Sequence, residues 1–171
     1  MNRRSTLKSL VTVSGALLTL PGWARSWNLQ SIQSYVSSYS LAEQDTLSAV
    51  ADTIIPAGDS IGALSVGVDK FLQKLFDRCY EKEMQDNIKV QLASLETKAQ
   101  AIYQTSFGNS TTTQRENMLM NVAKSTNKDE SDFFKLLKSE TIRGFNTSEE
   151  VMTKYLNYKV APGHFYGSVE V

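Results

Sequence analysis

Apolar residues return at helical spacing through most of this chain. Val68, Phe71, Leu72, Leu75, Phe76 and Cys79 fall at i, +3, +4, +7, +8 and +11, which is one stripe of an α-helix. That stripe predicts a buried thiol at Cys79, the only cysteine. Met84, Ile88, Leu92, Leu95, Ala99, Ile102 and Tyr103 step by four, four, three, four, three and one, so a long amphipathic helix is expected from Glu81 to Phe107, ended by Gly108. Upstream, Ser40 and Glu43 have the spacing of a capping box. They open a helix from Leu41 to about Ile55, with Leu47, Val50, Ala51, Ile54 and Ile55 inward and Pro56 as the stop.

Downstream, Thr113 with Glu116 reads as a second capping box, before a helix carrying Met118, Leu119, Val122 and Ala123. A helix beginning near Asp129 bears Phe133, Phe134, Leu136, Leu137 and Ile142 and runs to Gly144. Phe145 to Ser148 reads as a turn, and a short helix follows through Val151, Met152, Tyr155 and Leu156. The segment from Asn157 to Gly167 is aromatic, rich in turn formers and without helical period. The expected fold is all-α: a single domain of five or six helices with a non-helical aromatic C-terminal tail.

The first residues follow a different pattern. Arg3, Arg4 and Lys8 precede an apolar stretch from Leu10 to Leu20, and small residues Gly22 and Ala24 close it. A basic start, a short apolar run and small residues at a cleavage point describe an export signal. The run is shorter than the roughly 20 residues a membrane span needs. Arg3-Arg4 followed by Leu7-Lys8 resembles the bacterial twin-arginine signal, which carries folded cargo. The expected organisation is a signal peptide over 1–24, an arm over 25–40 and a helical domain over 41–171. The expected location is the periplasm, with any membrane association made through partners.

Charge and chemistry narrow the functional classes. The 18 basic and 18 acidic residues of the 171 cancel, and loss of residues 1–24 removes three bases and no acid. Nothing here makes an electrostatic case for nucleic acid. One Cys and one His cannot supply a c-type haem motif, a self-contained iron–sulfur cluster or a structural zinc site. The glycines between Ala57 and Gly67 are followed by no Gly-Lys-Ser/Thr, and no Gly-x-Gly-x-x-Gly occurs, so this stretch reads as a helix–helix connection rather than a phosphate loop. His164 lacks a second histidine to work with, and Asp52 and Asp59 read as capping or loop residues. The aromatic group Tyr155, Tyr158, Phe165 and Tyr166, with His164, fits a partner-binding surface or a tail folded on its own core. No catalytic, cofactor-binding or metal-binding residue is assigned.

Three blocks, taken in order, carry a resemblance. The first is Asp52-Thr53-Ile54-Ile55-Pro56-Ala57, continuing through Gly62-Ala63 and Gly67-Val68 to Phe71. The second is Phe133-Phe134, Leu136-Leu137, Thr141-Ile142 and Gly144 to Ser148. The third is Tyr155 to Tyr158 and Pro162 to Phe165. With the export signal, they resemble the gluconate 2-dehydrogenase subunit 3 family, the small gamma subunit of membrane-bound sugar and polyol dehydrogenases. The resemblance implies a non-catalytic subunit with no cofactor of its own. Its implied partners are a large flavoprotein holding FAD, in many complexes a multihaem cytochrome c, and the twin-arginine translocase. It implies that Arg3, Arg4, Leu7 and Lys8 serve export of the flavoprotein as well as of this chain. The competing expectation is an independent periplasmic helical binding protein.

Overall fold

The computed structural model describes residues 35–159. The signal segment with Arg3, Arg4, Leu7 and Lys8, most of the arm, and His164, Phe165 and Tyr166 lie outside the described residues. The chain divides into two units, Met1–Val36 and Ser37–Val171, and the helices of the described residues belong to the second.

Five α-helices make the described architecture: α1 Leu41–Ile54, α2 Val68–Cys79, α3 Lys82–Tyr103, α4 Thr112–Ala123 and α5 Lys128–Asn146. A 3₁₀ turn, Leu64–Val66, precedes α2, and a π-helical turn, Val151–Tyr155, follows α5. The expected all-α domain is what the chain forms.

Helix α1 opens as its capping box requires. The Ser40 N–H donates to Glu43 Oε2 at 2.7 Å, and Ser40 Oγ accepts from the Glu43 N–H at 3.3 Å. It packs against all four other helices, which is why Thr46, Leu47, Ala49, Val50, Ala51 and Thr53 are all buried. The small residues allow that close approach, and the two threonines satisfy their hydroxyls on their own helix, at Ala42 O and Ala49 O. Gly67, at φ 73°, both ends the 3₁₀ turn and begins α2, a backbone conformation that favours glycine. Helix α2 then lies between α1 and α5. Two-sided packing buries Gln73 beside the apolar stripe, and neither of its amide atoms finds a hydrogen-bond partner among the described residues.

Cys79 is exposed, not buried. It ends α2, and the helices that cover Val68 to Phe76 do not extend over that last turn. We expect Cys79 to react with a thiol reagent in the native protein without denaturant. A reaction that needs denaturant would return the thiol to the core.

Helix α3 also departs from its expected pattern. Ile88, Leu92, Leu95 and Ala99 are buried, whereas Met84 and Ile102 are exposed. It stops at Gln104, which adopts φ 55°, rather than at Gly108. Helix α4 is capped by Thr111 with Gln114, not by Thr113 with Glu116; the Thr111 N–H donates to Gln114 Oε1 at 2.9 Å. Both pairs have the right spacing, and an earlier start leaves the buried face of Met118, Leu119 and Val122 unchanged. Helix α5 continues past Gly144 to Asn146, so the expected turn at Phe145 begins later, at Thr147. Ile142 faces outward.

Two of the three resemblance blocks meet in space. A Cβ placed on Gly144 of α5 would lie 2.6 Å from Phe71 Cδ1 and 2.9 Å from Cε1 of α2. Gly144→Ala gains about 1 kcal/mol in helix propensity, but an overpacked contact costs about 1–3 kcal/mol. The net expected outcome is a lower midpoint in urea. An unchanged or higher midpoint would mean that the Phe71 ring is free to swing aside.

The same seam holds a titratable contact. Tyr80 O–H donates to Glu140 Oε1 at 3.1 Å, and the Phe76 and Tyr80 rings meet edge to face with centroids 5.4 Å apart. Burial first, then the Glu140 charge and hydrogen bond, raise the phenol above its ordinary 10.0. The folded state therefore keeps this proton longer than the unfolded chain does. The contribution is complete below pH 10.0 and fades as pH rises through the folded value. Tyr80→Phe should remove this part of the alkaline loss of stability, read as the difference between the two proteins' unfolding curves across that window. An identical alkaline slope in both would contradict the assignment.

Candidate functional site

The described residues offer two surfaces. The first continues from the π-helical turn. Val151 is buried and fixes the turn to the domain, while Tyr155, Leu156 and Tyr158 stand 54%, 58% and 52% exposed. Hydrogen bonds from Leu156 N–H to Val151 O and from Tyr158 N–H to Met152 O close the segment back on itself. Three large apolar side chains in four residues therefore face solvent from an ordered backbone. Tyr155 and Tyr158 are the members of the expected partner surface that the structure describes, and their side chains do not pack into the core. Phe165, Tyr166 and His164 are not brought into this picture, lying outside the described residues.

The second surface is a cleft of about 400 Å³ between α1, the end of α3, the loop before α4, and α4 itself. Helix α1 contributes Ala42, Asp45, Ala49 and Asp52, spaced by three, four and three and so on one face. Glu96 comes from α3, Ser106 and Asn109 from the loop, and Arg115 from α4. Arg115 Nη2 lies 3.1 Å from Asp52 Oδ2, and Nη1 donates to Ala49 O at 3.3 Å. Only 12% of the Arg115 side chain is exposed, so the pair joins α4 to α1, and removing Asp52 would leave a largely buried charge uncompensated. Asp52 is thus an ion-pair partner across the domain rather than a capping residue, while Asp59 stays exposed in its loop.

Glu96 is held as firmly. Its Oε2 accepts the Phe107 N–H at 2.9 Å, and Phe107 is fully buried. The loop between α3 and α4 is thereby pinned against the cleft. Sequence reasoning read Asp52 as a capping or loop residue and missed Glu96 and Arg115, because Asp52 and Arg115 are 63 positions apart. One signal was present: from Ser40 to Asp69 there are five carboxylates and no base. Charge of one sign along the whole of α1 and its following loop marks that face as different from the mixed-charge helices after it.

Among the described residues, no group of three or more His, Cys, Asp or Glu side chains is arranged to hold a metal ion. Among the same residues, no helix is long and apolar enough to cross a membrane.

A family model described as Gluconate 2-dehydrogenase subunit 3 matches residues 42–163. That span contains the first two resemblance blocks whole and the third as far as Gly163. No curated protein and no solved structure matches the chain.

Proposed function

The chain belongs to the gluconate 2-dehydrogenase subunit 3 family, and from that premise we propose that it is the non-catalytic small subunit of a periplasmic, FAD-dependent sugar or polyol dehydrogenase. The family's name describes one subunit of a dehydrogenase. In this reading the large subunit holds the flavin and does the chemistry. This chain binds it after it has folded, stabilises it, and supplies the twin-arginine signal for both. Arg3, Arg4, Leu7 and Lys8 engage the translocase. Tyr155, Tyr158, His164, Phe165 and Tyr166 contribute to the partner surface. A multihaem cytochrome c is the further subunit that would carry electrons to the membrane.

The observation that carries the proposal is the family match across most of the chain. The exposed Tyr155, Leu156 and Tyr158 support it, because aromatic side chains on an ordered turn are what an interface core uses and a solvated surface does not need. The reading also accounts for a folded-cargo signal on this chain: the cargo includes another protein.

The test is purification of the affinity-tagged full-length chain from its native host under mild conditions. A flavin-bearing larger chain is expected to come with it in a fixed ratio. Recovery of the chain alone as a monomer, with a small molecule bound, would favour an independent binding protein.

A further inference from the structure

The chain enters the helical domain through a short fastened segment. Ser37, Ser38 and Tyr39 precede the Ser40 cap of α1, at the start of the unit Ser37–Val171. Asp77, in the last turn of α2, holds them from one side. Its Oδ2 accepts the Ser38 N–H at 2.9 Å and the Ser37 hydroxyl at 3.3 Å, and its Oδ1 accepts the Ser38 hydroxyl at 2.5 Å. Lys89 of α3 holds them from another. Its Nζ donates to Ser38 O at 3.3 Å and lies 5.0 Å from the centre of the Tyr39 ring. Tyr39 itself is only 3% exposed, and its carbonyl accepts from Gln44 Nε2 of α1 at 2.7 Å.

These contacts depend on the fold. Helices α2 and α3 are joined by Tyr80 and Glu81 alone, yet each packs on α1 and α5 more than on the other. The segment 37–39 is bonded to both. Asp77 and Lys89 lie 39 and 51 positions from Ser38, so they come within its reach only when α2 and α3 have taken their places. The fastening is also lighter than the core. Hydrogen bonds to an ionised partner are stronger than neutral ones, but Ser38 is exposed and water competes for them. Tyr39 is the one apolar anchor in three residues. A segment with so few buried apolar contacts opens at a lower free energy than the helices it covers.

We propose that residues 37–39 form a strap: a fold-dependent fastening across α2 and α3 that opens on its own while the five helices stay folded. Closed, it fixes the point at which the chain passes from Val36 into the domain. Open, it frees that point and bares the Tyr39 ring. The inference concerns Ser37, Ser38, Tyr39 and their partners, and it does not rest on the export reading. Under that reading, the closed strap marks a chain whose α2 and α3 have docked.

The test is cleavage of the Tyr39–Ser40 bond of the full-length chain by chymotrypsin, identified by mass spectrometry. Cleavage after Tyr39 requires its ring to leave its site, and the rate follows the population of the open form when reclosing is fast. Asp77→Ala and Lys89→Ala each remove one side of the strap. Alanine is the best helix former, and an acid is unfavourable at a helix C-terminus, so α2 and α3 are preserved. Each variant is expected to speed this cleavage about tenfold, with an unchanged thermal midpoint. In Asp77→Ala the Ser38 amide should exchange its hydrogen faster, while the amides of Leu72 and Leu92 keep their wild-type rates. Lys82→Ala removes the exposed pair with Asp86 at the start of α3 and is expected to leave cleavage at the wild-type rate. Wild-type cleavage rates in both strap variants would mean that Asp77 and Lys89 hold nothing. Exchange at Leu72 and Leu92 accelerated as much as at Ser38 would mean that the segment opens only with the whole domain. Equal acceleration by Lys82→Ala would likewise overturn the proposal.

Discussion

A chain with Arg3→Lys and Arg4→Lys is expected to remain in the cytoplasm and to keep the flavoprotein there with it, reducing periplasmic dehydrogenase activity to background. The substitution is chosen because it preserves every charge and the whole apolar run. An ordinary export signal depends on a basic start followed by apolar residues, and two lysines serve it as well as two arginines. Recognition of the guanidinium fork does not survive the change. The measurement is fractionation of cells with both chains followed by immunoblot. Loss of export of both chains supports a twin-arginine signal shared by a complex. Loss of this chain alone, with the flavoprotein still exported, would separate the signal from the escort role. Undiminished export of this chain would mean that the two arginines act only as positive charge.

The largest effect on folding is expected from Phe76→Ala. Phe76 is fully buried in α2, where that helix lies between α1 and α5, and its ring meets Tyr80 edge to face. Removing it empties the middle of the seam and takes away the support under the Tyr80–Glu140 hydrogen bond. Truncation of a buried phenylalanine costs about 3–5 kcal/mol. A domain of this kind has about 5–15 kcal/mol in total, so the variant should be marginal at growth temperature. Urea denaturation followed by circular dichroism reads the loss. A value below about 1 kcal/mol would mean that the helices around Phe76 close up, contrary to the tight packing in which a Cβ on the nearby Gly144 already meets Phe71.

What the sequence made legible depends on what periodicity measures. Residue spacing tells which face of a helix is apolar. The stripe from Val68 to Phe76 and the run from Ile88 to Ala99 were therefore readable, and so was the Ser40–Glu43 cap, whose partners are three residues apart. Spacing does not tell how far the neighbouring helices extend. Cys79, Met84 and Ile102 all continue an apolar pattern, yet each is exposed. The three consecutive threonines before and into α4 offered two equally spaced caps, and only the anchoring of Phe107 and Ser110 by Glu96 and Ser106 shows where the helix begins. Buried Gln73 was hidden for the opposite reason: a polar residue next to a stripe is read as solvent-facing, yet α2 is covered on both flanks.

The candidate site was half legible. Tyr155 and Tyr158 stood out as aromatic residues near a segment without helical period, and the structure places both at the surface. The cleft was legible only as a run of acids without a base from Ser40 to Asp69; its form depends on the topology that brings α4 across α1 and sets Arg115 against Asp52. The resemblance blocks have a physical content as well. Phe71 from the first and Gly144 from the second form one contact between α2 and α5, so the blocks mark the packing of the domain as much as any surface it presents.

The decisive experiment deletes this chain from its host and locates the flavoprotein. The expected result is a flavoprotein that folds and stays in the cytoplasm, periplasmic dehydrogenase activity at background, and restoration of both by the full-length chain. A flavoprotein that reaches the periplasm and turns over substrate there, with this chain absent, would contradict the escort role.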